Sequence, residues 1–340
     1  MVMVTRKDVA QRAGVSVAVV SYVLNDRKIV KEETKQKVLK VIEELGYEPN
    51  LLARSLKTKR TNQLAVLVNN LGNPFETGIL LSLEYEASKA GYFTFFQTFQ
   101  HDNERELRTL LMGRVDGIVL LGQSLSVESI NHFHKLDIPL VSITKPVTTY
   151  ETIPYIDIDW LSKFRAMISH FKEQSHTRIG FMAHSEQDHY LANRYNVFVE
   201  AMRLEGLEYR EGNTLYGDGR YESGLSSMKK WLEEQLTQTG ELPIRALLCA
   251  NDMMAVGSLA ACHEVGISVP GQLAIARCEQ ILMSDNTSPK LTCLHYPRAE
   301  AGILAVQMLL EQINGSQPSS HLLESELIKR ESTGIYSISI

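Results

Sequence analysis

The sequence predicts an α/β protein, with an N-terminal helix-turn-helix head and a core of two doubly wound parallel-sheet subdomains. In the first 60 residues, apolar side chains recur at helical spacing and no segment has the pattern of a strand. After Thr61, short apolar runs alternate with amphipathic helices, which is typical of a parallel sheet covered on both faces. Because these roughly 280 residues exceed the usual size of one hydrophobic core, we expect two subdomains.

The head begins with two short helices around a tight turn. The first helix is expected to stop at Gly14, because glycine takes a positive φ without a Cβ clash. Ser16 follows where a hydroxyl can cap the next helix, which carries Val20 and Val23 at helical spacing. This arrangement predicts a helix-turn-helix, whose second helix enters the DNA major groove.

A third helix is predicted from about Lys31 to Leu45, closed by Gly46. Its apolar face is expected to comprise Val38, Leu39, Ile42 and Leu45.

The second helix supplies the candidate base-reading residues. Val17 and Ala18 can make apolar contacts, for example with a thymine methyl group, and Tyr22 can form a hydrogen bond. Contacts to phosphates, which position a protein without specifying sequence, are expected from Ser16, Ser21 and Asn25.

The charge distribution favours nucleic-acid binding by the head. The first 60 residues hold 13 of the 35 Lys and Arg residues but only seven of the 40 Asp and Glu residues. The chain as a whole has a net charge of −5. A basic head on an acidic body therefore indicates a DNA-binding module joined to a second function.

The composition indicates a soluble globular protein, with 44% hydrophobic and 22% charged residues. No apolar run approaches the roughly 18 residues needed to cross a bilayer, and the N-terminus lacks the apolar core of a signal peptide. We therefore expect a cytoplasmic protein with no membrane partner.

The four cysteines form no CxxC pair, so buried, reduced thiols are expected.

Eight strands are predicted in the core from continuous apolar runs. They are Leu64–Val68, Tyr92–Phe96, Gly117–Leu121, Leu140–Ile143, Ile179–Met182, Ala246–Cys249, Leu273–Ala276 and Leu291–Leu294.

A series of short motifs runs through almost the whole chain. In the head they are Thr5-x-x-Asp8-Val9-Ala10, Ala13-Gly14-Val15-Ser16, Val20-Ser21-x-Val23-Leu24-Asn25, Gly46-Tyr47-x-Pro49-Asn50 and Ala53-Arg54-x-Leu56. In the core they are Asn73-Pro74-Phe75, Gly91-Tyr92, Val115-Asp116-Gly117, Ile138-Pro139, Asn251-Asp252 and Arg330-Glu331-Ser332-Thr333. In this order the motifs resemble the lactose/galactose repressor family of bacterial transcription regulators.

The resemblance implies a head at residues 1–48, a hinge at 49–61 and an effector-binding and dimerisation core at 62–340. In the family the hinge helix folds on operator DNA and enters the minor groove, where a leucine wedges into a base step. Leu56 occupies that position, and such wedges kink the duplex. The DNA contacts that the resemblance adds are Thr5, Asn50, Ala53, Arg54, Leu56 and Lys57.

The core resembles the fold of periplasmic binding proteins, in which a ligand lies between two subdomains. The N-subdomain is expected at about 62–159 and 296–320, and the C-subdomain at about 160–295 and 321–340. Effector-binding positions implied by the family, with the adjacent Trp160, are Asn73, Phe75, Asp159, Trp160, Arg194, Asn251, Asp252 and Glu279. Polar side chains above an aromatic floor suit a sugar, although helix capping by Asn251-Asp252 is an alternative.

One segment departs from the family pattern. Where the family has Gly-Phe/Tyr-Asp, this chain has Arg277-Cys278-Glu279. Glu279 is expected to replace the ligand-binding aspartate with a side chain one methylene longer. Arg277 is expected either to intrude on the cleft or to pair with Glu279.

The sequence thus predicts a homodimeric repressor that binds a pseudo-palindromic operator in double-stranded DNA. A sugar or sugar phosphate is the expected effector and a carbohydrate-utilisation operon the expected target. Corepression by the ligand and control by a phosphorylated carrier protein remain alternatives. No enzyme activity, cofactor or metal is expected, since the chain lacks GxGxxG spacing, a GxSxG motif and a set of metal ligands.

Overall fold

The computed structural model describes residues 4–24, 29–48, 58, 60–98, 101–144, 153–184 and 189–334. The chain divides into two compact units, residues 1–61 and 62–340.

The first unit contains the helices α1 (Arg6–Ala13), α2 (Val17–Leu24) and α3 (Glu32–Leu45). Gly14 has a φ of 64° and ends α1, while Ser16 Oγ accepts a hydrogen bond from Val19 N (3.3 Å) and caps α2. Gly46, with a φ of 58°, ends α3. The predicted turn, cap and helix end are therefore confirmed.

The core of this unit is formed by side chains from all three helices, including Val9, Val20 and Val38. The prediction for the apolar face of α3 was wrong at one position. Leu39 is 39% exposed, and Val41 is buried instead. The reason is geometric. Val41 lies three residues after Val38 and therefore on the same helix face, whereas Leu39, directly after Val38, is turned by about 100° around the helix axis.

The second unit contains 12 strands and eight α-helices in the described residues. In chain order these are β1 (Gln63–Val68), α4 (Pro74–Lys89), β2 (Phe93–Thr98), α5 (Glu104–Leu111), β3 (Gly117–Leu121), α6 (Val127–Lys135), β4 (Leu140–Ile143), β5 (Tyr155–Ile158), α7 (Trp160–Glu173), β6 (Ile179–His184), α8 (His189–Leu204), β7 (Thr214–Gly217), α9 (Tyr221–Thr239), β8 (Ala246–Cys249), α10 (Asp252–Val265), β9 (Ala274–Glu279), β10 (Thr292–His295), α11 (Arg298–Ile313), β11 (His321–Leu323) and β12 (Leu327–Ile328).

The strands form two six-stranded sheets, in the orders β11-β5-β4-β3-β1-β2 and β12-β10-β9-β8-β6-β7. All neighbours pair in parallel except β10 and β12, which are antiparallel. The first sheet defines the N-subdomain and the second the C-subdomain. This architecture confirms the predicted fold class.

The chain passes between the two sheets three times, after β5, after β10 and after β11. The third passage lies a few residues later than expected. His321 pairs with Ile156 in the first sheet, and Leu323 is buried there, so His321–Leu323 belongs to the N-subdomain rather than to the C-subdomain.

All eight predicted strands are present, with their bounds shifted by up to three residues. Four strands were not predicted: β5, β7, β11 and β12. Polar residues interrupt β5, β7 and β11, as Asp157 does in β5, and β12 is only two residues long.

Within the described residues, no helix is both long enough and apolar enough to span a membrane. The four cysteines are free and buried. Burial raises the pKa of the Cys249 thiol to about 12, so this sulfur stays protonated. No cluster of three or more potential metal ligands occurs among the described side chains.

Candidate functional site

The N-terminus of α2 presents two of the three predicted base-reading residues, Val17 and Ala18, to solvent, whereas Tyr22 is half-buried. Val17 is 45% exposed and Ala18 is exposed, while Val20 and Val23 on the opposite face are buried. An exposed valine at this position is consistent with an apolar contact to a base, which stays a prediction, as do the contacts of Ser16, Ser21 and Tyr22.

Thr5 has a structural role in the first helix. Its Oγ1 donates to Asp8 Oδ2 (2.7 Å) and accepts from Asp8 N, while its backbone N also donates to the same carboxylate. These bonds form a capping box and lower the pKa of Asp8. A DNA contact from Thr5 stays a prediction.

The remaining predicted DNA contacts fall outside the described residues. They are Asn25, Asn50, Ala53, Arg54, Leu56 and Lys57.

The second candidate site is the cleft between the two subdomains. It lies at the carboxyl ends of strands from both sheets, where ligands bind in doubly wound folds. Its lining residues are Asn69, Asn73, Phe75, Glu76, Leu121, Gly122, Thr144, His184, Arg194, Asn251 and Glu279. The enclosed volume is about 40 Å³, which is room for roughly three water molecules.

A buried ion pair forms the C-subdomain wall of this cleft. Arg194 Nη1 donates to Glu279 Oε1 (2.8 Å) and to Ala250 O (2.6 Å), and both charged side chains are almost completely buried. Burial raises the pKa of Glu279 to about 7, although Arg194 opposes the shift. The pair thus places a donor and an acceptor next to each other in a site largely shielded from water.

Arg194 lies on an aromatic support. Its guanidinium carbon is 4.1 Å from the centre of the Trp160 ring, a cation–π contact. The Trp160 ring in turn stacks on Tyr296, and its Nε1 donates to Asp157 Oδ1 (2.9 Å). In this structure Arg194 covers the Trp160 ring and Trp160 does not line the cleft, so contact between Trp160 and an effector stays a prediction.

Two asparagines line the cleft and also cap helices. Asn73 Oδ1 accepts from Phe75 N (3.0 Å) at the start of α4, and Asn251 Oδ1 accepts from Met254 N (2.9 Å) at the start of α10. Asn251 Nδ2 donates to Gly219 O (2.8 Å). Each asparagine therefore combines a capping role with a position in the cleft, which for Asn251 the sequence had left as alternatives.

His184 ends β6 and also lines the cleft. Burial, with a smaller effect of the nearby Arg194 charge, lowers its pKa to about 3. The imidazole is therefore neutral at physiological pH.

Besides Trp160, two predicted pocket residues lie outside the cleft lining. Asp159 is exposed and caps α7 through a bond from Ser162 N (3.2 Å). Asp252 is buried behind the cleft, where its carboxylate accepts from Arg277, from Ser284 Oγ (2.9 Å) and from Ile281 N (2.9 Å).

Both expectations for Arg277 were wrong. The side chain is completely buried, pairs with Asp252 and Asp285, and neither enters the cleft nor contacts Glu279. The strand conformation ends at Glu279, whose φ is 93°, so this residue no longer shares the face of the strand that Arg277 occupies.

Sequence reasoning missed four polar cleft residues. Asn69, Thr144 and His184 stand at or directly after the ends of β1, β4 and β6, so the rule that ligands bind beyond strand carboxyl ends could have found them. Glu76 lies within α4, where nothing in the sequence distinguishes a buried carboxylate from a solvated one.

Comparison with known families agrees with these two units. The sequence-family model described as "Bacterial regulatory proteins, lacI family" matches residues 5–50. The model described as "Periplasmic binding protein-like domain" matches residues 168–333.

Similar proteins match along almost the whole chain. The HTH-type transcriptional repressor PurR of Actinobacillus pleuropneumoniae is 30% identical over 337 residues, covering 97% of this chain and 98% of that protein. The HTH-type transcriptional repressor CytR of Escherichia coli is 31% identical over 335 residues, covering 97% and 96%.

Solved structures of similar fold include a complex of the transcriptional regulator CelR with cellobiose, at 27% identity and a TM-score of 0.71, covering 97% of this chain and 99% of that one. The lac repressor dimer bound to operator and the anti-inducer ONPF superposes with a TM-score of 0.86 at 24% identity, covering 98% and 100%. The chain is therefore a DNA-binding transcriptional repressor of the LacI family of bacterial regulatory proteins.

Proposed function

We propose that this repressor controls a carbohydrate-utilisation operon and that a sugar or sugar-derived effector, bound in the cleft between the subdomains, sets its affinity for the operator. The observation that carries the proposal is the buried Arg194–Glu279 pair in the wall of the cleft. The similarity to CelR, whose solved complex contains cellobiose, also supports a carbohydrate.

The chemistry of the cleft suits a polyhydroxylated ligand. A sugar hydroxyl both donates and accepts hydrogen bonds, so adjacent hydroxyls can take the place of the direct contact between Arg194 and Glu279. The amides of Asn73 and Asn251 supply further donors and acceptors, and Phe75 offers an apolar surface to a ring face.

Ligand binding in this cleft requires the subdomains to move. The enclosed volume of about 40 Å³ is far below the roughly 300–1,000 Å³ of typical small-molecule pockets. An effector therefore binds a more open arrangement and shifts the population towards it. A coupling of about 1–3 kcal/mol would change operator affinity about 5–150-fold.

We further propose that the repressor is a homodimer that reads a pseudo-palindromic operator. Leu81 and Tyr85 lie one helical turn apart on α4 and are 69% and 64% exposed. Large exposed apolar side chains on one face mark an interaction surface. The double substitution Leu81→Lys and Tyr85→Lys should convert a dimer to a monomer in light scattering.

The effector proposal is tested by thermal shift of the full-length protein against monosaccharides, disaccharides including cellobiose, sugar phosphates and nucleosides. A ligand at 100 times its Kd adds about 2.7 kcal/mol of stability, a rise of roughly 5–11 °C for a domain of this size. Glu279→Gln should abolish the shift. Glu205→Gln is the matched control, because Glu205 pairs with Arg165 in the C-subdomain and does not line the cleft.

A shift by a sugar that Glu279→Gln removes and Glu205→Gln preserves would support the proposal. A shift by nucleosides alone, or no shift from any compound, would overturn the sugar effector. Operator affinity is then measured on DNA selected by the protein from a random pool, with and without the compound that binds. Weaker DNA binding would identify induction, and stronger binding would identify corepression instead.

A further inference from the structure

Arg298 connects the two subdomains through its side chain. It is the first residue of α11, just after the second passage between the sheets. Its Nη1 donates to Pro74 O (3.1 Å) in the N-subdomain, and its Nη2 donates to Gln280 O (2.9 Å) in the C-subdomain. One guanidinium thus binds a backbone carbonyl on each side.

The N-subdomain side of this bridge is held by close helix packing. A Cβ at Gly78 would lie only 2.3 Å from Arg298 Nη1 and 2.9 Å from its Cζ, so the glycine makes room for the guanidinium against α4. Further along the same helix pair, a Cβ at Gly302 would lie 2.6 Å from Ile79 O. The position of Arg298 relative to α4 is therefore closely determined.

The C-subdomain side of the bridge is an unusual turn. Glu279 has a φ of 93° and Gln280 a φ of 67°, a left-handed conformation that residues with a side chain rarely adopt. Such a conformation persists only when the surroundings hold it. Here the bond from Arg298 to Gln280 O acts together with bonds from Tyr296 N to Glu279 O and from Ile281 N to Asp252.

The two ends of the bridge adjoin the cleft. Pro74 lies between the cleft residues Asn73 and Phe75, and Gln280 directly follows Glu279. Arg298 itself does not line the cleft. It therefore acts on the site through the backbone of residues that do.

We propose that Arg298 is a positioning residue, which holds the turn at Glu279 against the N-terminus of α4 and thereby couples the geometry of the cleft to the arrangement of the subdomains. The link to effector response rests on the proposed function, whereas the positioning role does not. Loss of the bridge should free the Glu279 turn and the first turn of α4 together.

The test is amide hydrogen exchange of the full-length protein by mass spectrometry, with no ligand added. Arg298→Met should raise exchange at least 10-fold in the peptides that contain Phe75 and Ile281, and leave β3 and β8 unchanged. Arg298→Lys keeps the charge but presents a single ammonium in place of the guanidinium fork, so it should give a smaller rise at the same two places. Arg165→Met, which removes the ion pair with Glu205, is the matched control and should change neither.

Wild-type exchange at either place in Arg298→Met would overturn the proposal, as would a uniform rise over both subdomains. If Arg298→Met fails to fold, the proposal is decided by Arg298→Lys, which must show a rise confined to the same two peptides. A localised rise together with an unresponsive sugar panel would contradict the proposed effector and retain the positioning role.

Discussion

Replacing Arg277 by methionine should destabilise the C-subdomain severely. The native side chain is completely buried and pairs with Asp252, and its Nη2 donates to Asp285 Oδ1 (2.6 Å). Methionine fills much of the same space and carries no charge. The substitution therefore isolates the electrostatic part of the contact.

The magnitude follows from the burial of Asp252. This carboxylate is 1% exposed, and without Arg277 it keeps only the bonds from Ser284 Oγ and Ile281 N. Removing one partner of a buried ion pair costs about 3–5 kcal/mol, a large part of a typical stability of about 5–15 kcal/mol.

The effect of Arg277→Met should depend on pH. Burial raises the pKa of Asp252, and Arg277 opposes this rise, so the substitution should raise the pKa further. A carboxyl group with a raised folded-state pKa favours folding below its unfolded pKa and loses that contribution as the pH rises. The destabilisation should therefore be largest near neutral pH and should shrink as the pH falls towards 4.

The assay is denaturant unfolding of the full-length protein, followed by the fluorescence of Trp160 and Trp231, the two tryptophans of the chain, both in the C-subdomain. Combining Arg277→Met with Asp252→Asn should recover much of the loss, because the unpaired Asp252 carboxylate is then also removed. A loss below about 1 kcal/mol, the range of exposed ion pairs, would refute the reasoning. So would a loss that does not change with pH.

Three further predictions concern the same subdomain. Asn251→Ala should lower the free energy of unfolding by about 0.5–2 kcal/mol, because it removes the cap of α10. Asn251→Asp keeps the acceptor for Met254 N and should therefore lose less stability in the same denaturant titration. Equal losses in the two variants would contradict the cap. Gly257→Ala should lower the Tm, because the new Cβ would lie 2.3 Å from a backbone oxygen of α9. Gly212→Ala, whose Cβ would have no atom within 4 Å, should leave the Tm unchanged. Similar Tm values for the two variants would argue against close packing of α9 against α10. His184→Gln should make the free energy of unfolding fall less steeply as the pH is lowered from 6.5 to about 3. The pKa of the native histidine is depressed, so the stability that its neutral form contributes is lost as the pH falls through this range. Parallel pH profiles of variant and wild type would rule this out.

The predictions that the structure confirms concern features set by residues close together in the sequence. The turn at Gly14 and the cap at Ser16 are set by backbone preference and by hydrogen bonds over three residues. The buried parallel strands were recognisable because both faces are covered, which leaves a continuous apolar run. Asn73 and Asn251, which the family resemblance implied as effector-binding residues, both line the cleft and cap the helices that begin there.

What the sequence by itself determined is therefore the fold class and the turn and cap in the head, since these follow from periodicity and local hydrogen bonding, whereas the cleft residues were implied by the family resemblance. Only the tertiary structure decided which charges meet. Arg277 pairs with Asp252, 25 residues away, whereas Glu279 turns at a positive φ to reach Arg194, 85 residues away. Arg298 likewise spans carbonyls separated from it by 224 and 18 residues. Such pairings depend on the packing of whole elements and on the cost of burying an unpaired charge, which no local pattern records.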